Sequence, residues 1–150
     1  YFLNIGMGKT STSGHEGYGL NYLMKNKDLI IMNKKNQISH AKKIALQMYD
    51  NGYTKPIQRN DIKVLGQQAL GAFYVGADSM LVGGYISDHD KKIAKKISNI
   101  LAGGNLSQST LVSEQYLLDL EREAFLSLCG ERKTLERIQF MLKNGKPLRN

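Results

Sequence analysis

The chain has 150 residues, 41% of them hydrophobic, and its 21 Lys and Arg against 13 Asp and Glu leave a net charge of +8. That is enough for one globular domain with a genuine core, and no apolar run approaches the roughly 18 residues that a membrane span needs. The best candidate, ALGAFYVGADSMLVGG, is interrupted by Asp78. The single Cys129 excludes an internal disulfide, and with no signal-type leader it points to a reducing cytoplasm. A start at Tyr1 rather than Met implies a chain cut from something longer.

In chain order, the first motif is LNIGMGKTSTSGHEGYG, residues 3 to 19. Its GKTS invites a phosphate-loop reading, but that loop needs a Gly four residues before the Gly-Lys pair, and Leu3 stands there. KTSTSG reads instead as a loop leading to a helix N-cap at Ser13, with Glu16 in the capping-box position. Gly14, Gly17 and Gly19 weaken that helix, and Asn21 reads as its left-handed terminator. LIIM at Leu29 to Met32 reads as a small strand or a buried extended segment.

From Asn36 the period becomes helical, with Ile38, Ala41, Ile44, Ala45 and Met48 on one face until Asp50-Asn51-Gly52 stops it. YTKPIQRNDIKVLG reads as a surface loop. A charge-poor helix then covers Gln67 to Val82, with Leu70, Phe73, Tyr74, Ala77, Met80 and Leu81 as its stripe. Ser87 caps the next helix with Asp90 in the capping-box position, Ile93, Ile97, Ile100 and Leu101 form the stripe, and Gly103-Gly104 ends it. Ser113 and Gly130 bracket another, broad and expected to be buried through Leu117, Leu120, Phe125 and Leu128. A last helix near Thr134 to Lys143 is expected to bury Leu135, Ile138 and Met141 before Gly145 and Pro147. The fold class is all-α, with about five amphipathic helices and at most one short extended segment.

The charge does not read as a nucleic-acid surface. Lys34-Lys35, Lys42-Lys43, Lys91-Lys92 and Lys95-Lys96 lie opposite apolar stripes, the pattern of solvated helix faces, and there is no Trp to stack on bases. His15, His40 and His89 have no partner at a metal spacing, and Asp88 and Asp90 of DHD fit the positive end of the helix behind Ser87 better than a metal. Cys129 reads as a core thiol, and Asp119, Glu121, Arg122 and Glu123 as helix-face ion pairs. These residues mark no active site.

A resemblance adds what the residues alone do not. GYISDHDKKIAKKISNILAGG and LLDLEREAFLSLCGERKTLERIQFMLKNGKPLRN resemble the C-terminal end of bacterial 3-hydroxyacyl-CoA dehydrogenases that carry a crotonase (enoyl-CoA hydratase) module. Ser13 to Leu23 is similar to the crotonase segment Ser-Ala-x-Glu-Ala-x-x-x-Gly-Leu-Val, with Ser13 and Glu16 matching, Gly14 and Gly17 in place of alanines, and Asn21 in place of glycine. The resemblance implies that residues 1–35 end the crotonase-like module and 36–150 form a C-terminal helical domain.

It further implies a parent enzyme of fatty-acid β-oxidation that uses NAD and acyl-CoA, with the dehydrogenase and crotonase modules upstream in the same chain. The oxyanion hole, the hydratase glutamates and the dinucleotide loop belong to those modules, so no catalytic residue, cofactor or metal is expected here. Met141 to Pro147 is similar to a C-terminal crotonase run whose Lys reaches coenzyme phosphates; Asn144 replaces that Lys, which leaves its neighbours Lys143 and Lys146 as the candidate CoA contacts. Apolar surface that faces the missing core should be exposed before Asn36 and on Gln67 to Val82, and self-association should follow. A free-standing helical interaction module and a basic nucleic-acid binder are the alternatives.

Overall fold

Ser13, Ser87 and Ser113 each accept a hydrogen bond from the backbone N–H three residues on, and a helix begins behind each. The computed structural model describes all 150 residues. Its elements in order are α1 (Phe2–Gly6), α2 (Gly14–Gly19), a 3-10 turn (Lys34–Asn36), α3 (Gln37–Asp50), β1 (Ile62–Val64), α4 (Gln67–Val82), α5 (Asp88–Ala102), β2 (Thr110–Val112), α6 (Glu114–Cys129) and α7 (Arg132–Asn144). Helix dominates, as the periodicity requires. No helix is long and apolar enough to cross a membrane.

Seven helices replace the expected five or so, and the strands lie elsewhere than expected. LIIM is irregular backbone, whereas the supposed surface loop contains β1, whose Ile62, Lys63 and Val64 pair antiparallel with Val112, Leu111 and Thr110. The reason is pairing: β-branched residues make a strand where another strand satisfies their backbone, and LIIM has none. The first six residues of the chain also hold a helix that the sequence did not announce.

The chain forms two compact units, one of Lys9–Ile57 and one of Tyr1–Gly8 with Gln58–Asn150. In the Lys9–Ile57 unit, the KTS of GKTS runs as irregular chain into the Ser13 cap. Glu16 returns its carboxylate to the N–H and hydroxyl of Thr12, both at 2.6 Å, rather than to Ser13, so the expected capping box is displaced by one residue. These bonds hold the Glu16 carboxyl below its ordinary pKa. Asn21 takes the left-handed conformation, φ +59°, that ends α2. Hydrogen bonds then close the loop: Tyr18 donates to the Asp28 carbonyl at 2.7 Å, Tyr22 to the Lys9 carbonyl, and the Met24 N–H to Asp28 Oδ2 at 2.7 Å.

The other unit is organised on α5, which packs against α1, α4 and α6. Small residues permit this. Buried apolar positions are Val64, Ala77, Ala94, Ala102 and Ala124, and the buried Ser98 hydroxyl is satisfied by donating to the Ala94 carbonyl at 2.7 Å. The capping box of Ser87 and Asp90 is complete. At the far end of α5, Gly103 has φ +88°, and a Cβ there would come within 2.5 Å of Val64 Cγ2, so both backbone conformation and space demand glycine. Ion pairing also joins elements: Lys91 Nζ lies 2.6 Å from Asp78 Oδ1, tying α5 to the one charge in α4.

The stripes expected to be buried are less covered than the pattern implied: Phe125 of α6 is 57% exposed, and Leu135, Ile138 and Met141 of α7 are also exposed. The α3 face is open too, with Ile38 85% exposed. Amphipathic spacing reports a face suited to burial, not the neighbour that provides it. The expected exposure before Asn36 and on α4 is present, at Met24, Leu29, Met32, Val75 and Val82.

Candidate functional site

The densest polar constellation gathers at the start of α5. Asp90 is buried and accepts at Oδ1 from Arg137 Nη1 at 2.6 Å and Arg149 Nη1 at 3.0 Å, and at Oδ2 from the Ser87 N–H at 3.0 Å and hydroxyl at 3.1 Å. Arg137 also donates through Nε to Asn150 Oδ1 at 2.7 Å and through Nη2 to the Asn150 carbonyl at 3.1 Å. Burial works against ionisation of Asp90, but the Arg137 and Ser87 hydrogen bonds outweigh it and lower its pKa to about 2. A carboxylate so fully engaged is a structural anion, too weak a base to take a proton from a substrate near neutral pH.

His89 beside it is buried, with Nε2 2.9 Å from Thr134 Oγ1. Burial first, then the positive charge of Arg137, lowers its pKa, so the ring is neutral at pH 7. Four further acidic groups are engaged in ion pairs: Glu131 with Lys92 at 2.6 Å, Glu136 with Arg132 at 2.9 Å, Asp119 with Arg122 at 2.9 Å, and Asp61 with Arg59 at 2.8 Å. No three His, Cys, Asp or Glu residues are arranged to hold a metal ion. Cys129 is half-buried near the end of α6.

A different kind of site lies between α5 and α6. An open groove of about 480 Å³ has Ile93, Ile97 and Phe125 among its apolar walls and Lys96, Glu121 and Arg122 among its polar ones. Its size is that of ligand pockets, and its chemistry accepts an apolar group with a polar end. It follows from the α5 stripe, which is wider than α6 covers.

Lys143 and Lys146, the sequence candidates, flank the left-handed Gly145 that ends α7. Both are exposed. Lys143 borders a shallow depression with Phe140, Asn144 and Leu148, and Lys146 does not line it. Sequence reasoning missed the Asp90 cluster because its partners lie 47 and 59 positions away. The one local sign was the Ser87 and Asp90 capping box, which places the carboxylate but says nothing of its distant arginines.

A "Probable 3-hydroxyacyl-CoA dehydrogenase" of Bacillus subtilis (strain 168) is 45% identical over 149 residues, which cover 99% of this chain and 19% of that protein. The chain therefore spans about a fifth of the length of the curated relative it matches. No protein-family model matches it, and no solved structure does.

Proposed function

We propose that the chain is the non-catalytic C-terminal portion of a longer 3-hydroxyacyl-CoA dehydrogenase that also carries a crotonase-type enoyl-CoA hydratase module. The observation that carries this reading is the 45% identity along almost the whole chain to one fifth of a protein named for that dehydrogenase activity. The fold is compatible with this reading: Asp90 and Glu131 are held in a helix cap and ion pairs, and an apolar groove lies open between α5 and α6. The parent would oxidise 3-hydroxyacyl-CoA with NAD and hydrate 2-enoyl-CoA in cytoplasmic fatty-acid β-oxidation. Residues 1–35 would end the crotonase module, 36–150 would form the helical end, and Lys143 and Lys146 would reach the coenzyme phosphates.

Positioned acid and base groups, an oxyanion hole and a dinucleotide site must act together in such a parent. The purified 150-residue chain should accordingly turn over neither crotonyl-CoA nor 3-hydroxybutyryl-CoA with NAD, while the longer polypeptide turns over both. Turnover by the short chain that survives repurification would place an active site within it. A longer polypeptide inert toward both would remove the dehydrogenase reading.

A further inference from the structure

Helix α3 is amphipathic in sequence, yet it has no buried residue: Ile44 is half-buried and every other residue from Gln37 to Asp50 is exposed. An isolated helix of this length is marginal in water, because helices in proteins are stabilised mainly by packing their apolar face. Ile38, Ala41, Ile44, Ala45 and Met48 make such a face, and Met32 just before them is 81% exposed. The charge around it is one-sided. Lys9–Ile57 holds eight lysines against Glu16, Asp28 and Asp50, a net +5 of the chain's +8.

We infer that α3 docks on an acidic surface with an apolar centre in the remainder of the same longer polypeptide. The inference rests on the reading above that such a polypeptide exists. The length available supports it, since the relative matched along this whole chain extends far beyond the 19% that matches. Charge complementarity selects the occupant. A second copy would bring the same +5 unit against this one, and like charges across a symmetric contact oppose it. A lipid surface fits less well: interfacial helices insert Trp, Phe or Leu, whereas this face has two alanines and the unit has neither Trp nor Phe. Small residues among larger apolar ones suit close approach to a protein surface.

The test is hydrogen exchange on the polypeptide purified at its native length, beside the 150-residue chain. Amides of α3 should exchange at least about 100-fold more slowly in the long form. Ile38→Asp should remove at least tenfold of that protection, and so should the paired change Lys42→Glu with Lys43→Glu, while α5 amides keep their rates in every variant. Equal exchange of α3 in both lengths would overturn the inference. So would protection of the short chain that grows with its concentration, which means a second copy, or protection that needs phosphatidylglycerol vesicles, which means a membrane. A native length of 150 residues would overturn it as well. NAD-dependent oxidation of 3-hydroxybutyryl-CoA by the same preparation separates the two readings: protection without oxidation removes the dehydrogenase and keeps the docking, and oxidation without protection does the reverse.

Discussion

Asp90 and Arg137 stand 47 positions apart in the sequence and 2.6 Å apart in the fold, and that contact joins the first turn of α5 to the middle of α7. Arg137 is largely buried with it. Removing the buried partner leaves Asp90 with only the half-exposed Arg149 to offset its charge, so Arg137→Met should destabilise the chain by about 3 kcal/mol in urea unfolding. Arg149 is half exposed and supplies a second bond to the same oxygen. Its replacement by Ala should cost about 1 kcal/mol or less.

The same contact sets an acid limit. Because the folded pKa of Asp90 lies below its ordinary value, at about 2, its stabilisation is complete above about pH 4 and is lost as the pH falls toward 2. The amount is about 2 kcal/mol. Denaturant midpoints measured across this range should fall, and Asp90→Asn should flatten the slope while lowering stability near neutrality.

His89 acts in a higher window. Its folded pKa is depressed, chiefly by burial, so the unfolded chain takes up the proton first. Stability from this residue is present above about pH 6.5 and declines as the pH falls through the folded pKa. In NMR titration the His89 ring should protonate below the ordinary histidine value. An ordinary titration curve would mean that the ring is not enclosed as described.

Much of this architecture was legible beforehand. The limits of α4, the capped start of α5 at Ser87 and the left-handed turn at Asn21 are local events, decided by caps, glycines and period within a few residues. The β1–β2 pairing was not legible, because Ile62 meets Val112 across 50 positions and three residues make a weak signal alone. The Asp90 cluster was hidden for the same reason. Burial was over-read wherever an apolar stripe was assumed to have a cover, as at Phe125 of α6 and along α7.

Two left-handed glycines separate conformation from space. Gly145 has φ +64° with open space around the missing Cβ, so Gly145→Ala should cost about 1 kcal/mol. Gly103 combines φ +88° with a clash against Val64, and Gly103→Ala should cost about 2–4 kcal/mol. Similar losses from both would show that Val64 yields without strain.

The coenzyme proposal has its own readout. In the longer polypeptide, replacing Lys143 and Lys146 together with Ala should raise the KM for acyl-CoA about three- to tenfold, the scale of one or two exposed charge contacts, with kcat nearly unchanged. Unaltered kinetics would leave both as solvated lysines near a helix end, where the helix dipole already favours them.

Arg149 also donates to the carbonyl of Met7, at 3.5 Å, a link between residues 142 positions apart. During synthesis that closure has to wait. Helices α4, α5 and α6 can form and pack as they leave the ribosome, but Asp90, held only by its capping box with Ser87, keeps its charge uncompensated until Arg137, and then Arg149, have emerged. A nascent chain arrested before Arg137 should therefore be cleaved readily by protease at the Ser87 end of α5, and one extended until Arg149 has cleared the exit tunnel should be protected. Arg137 and Arg149 thus set when the unit locks.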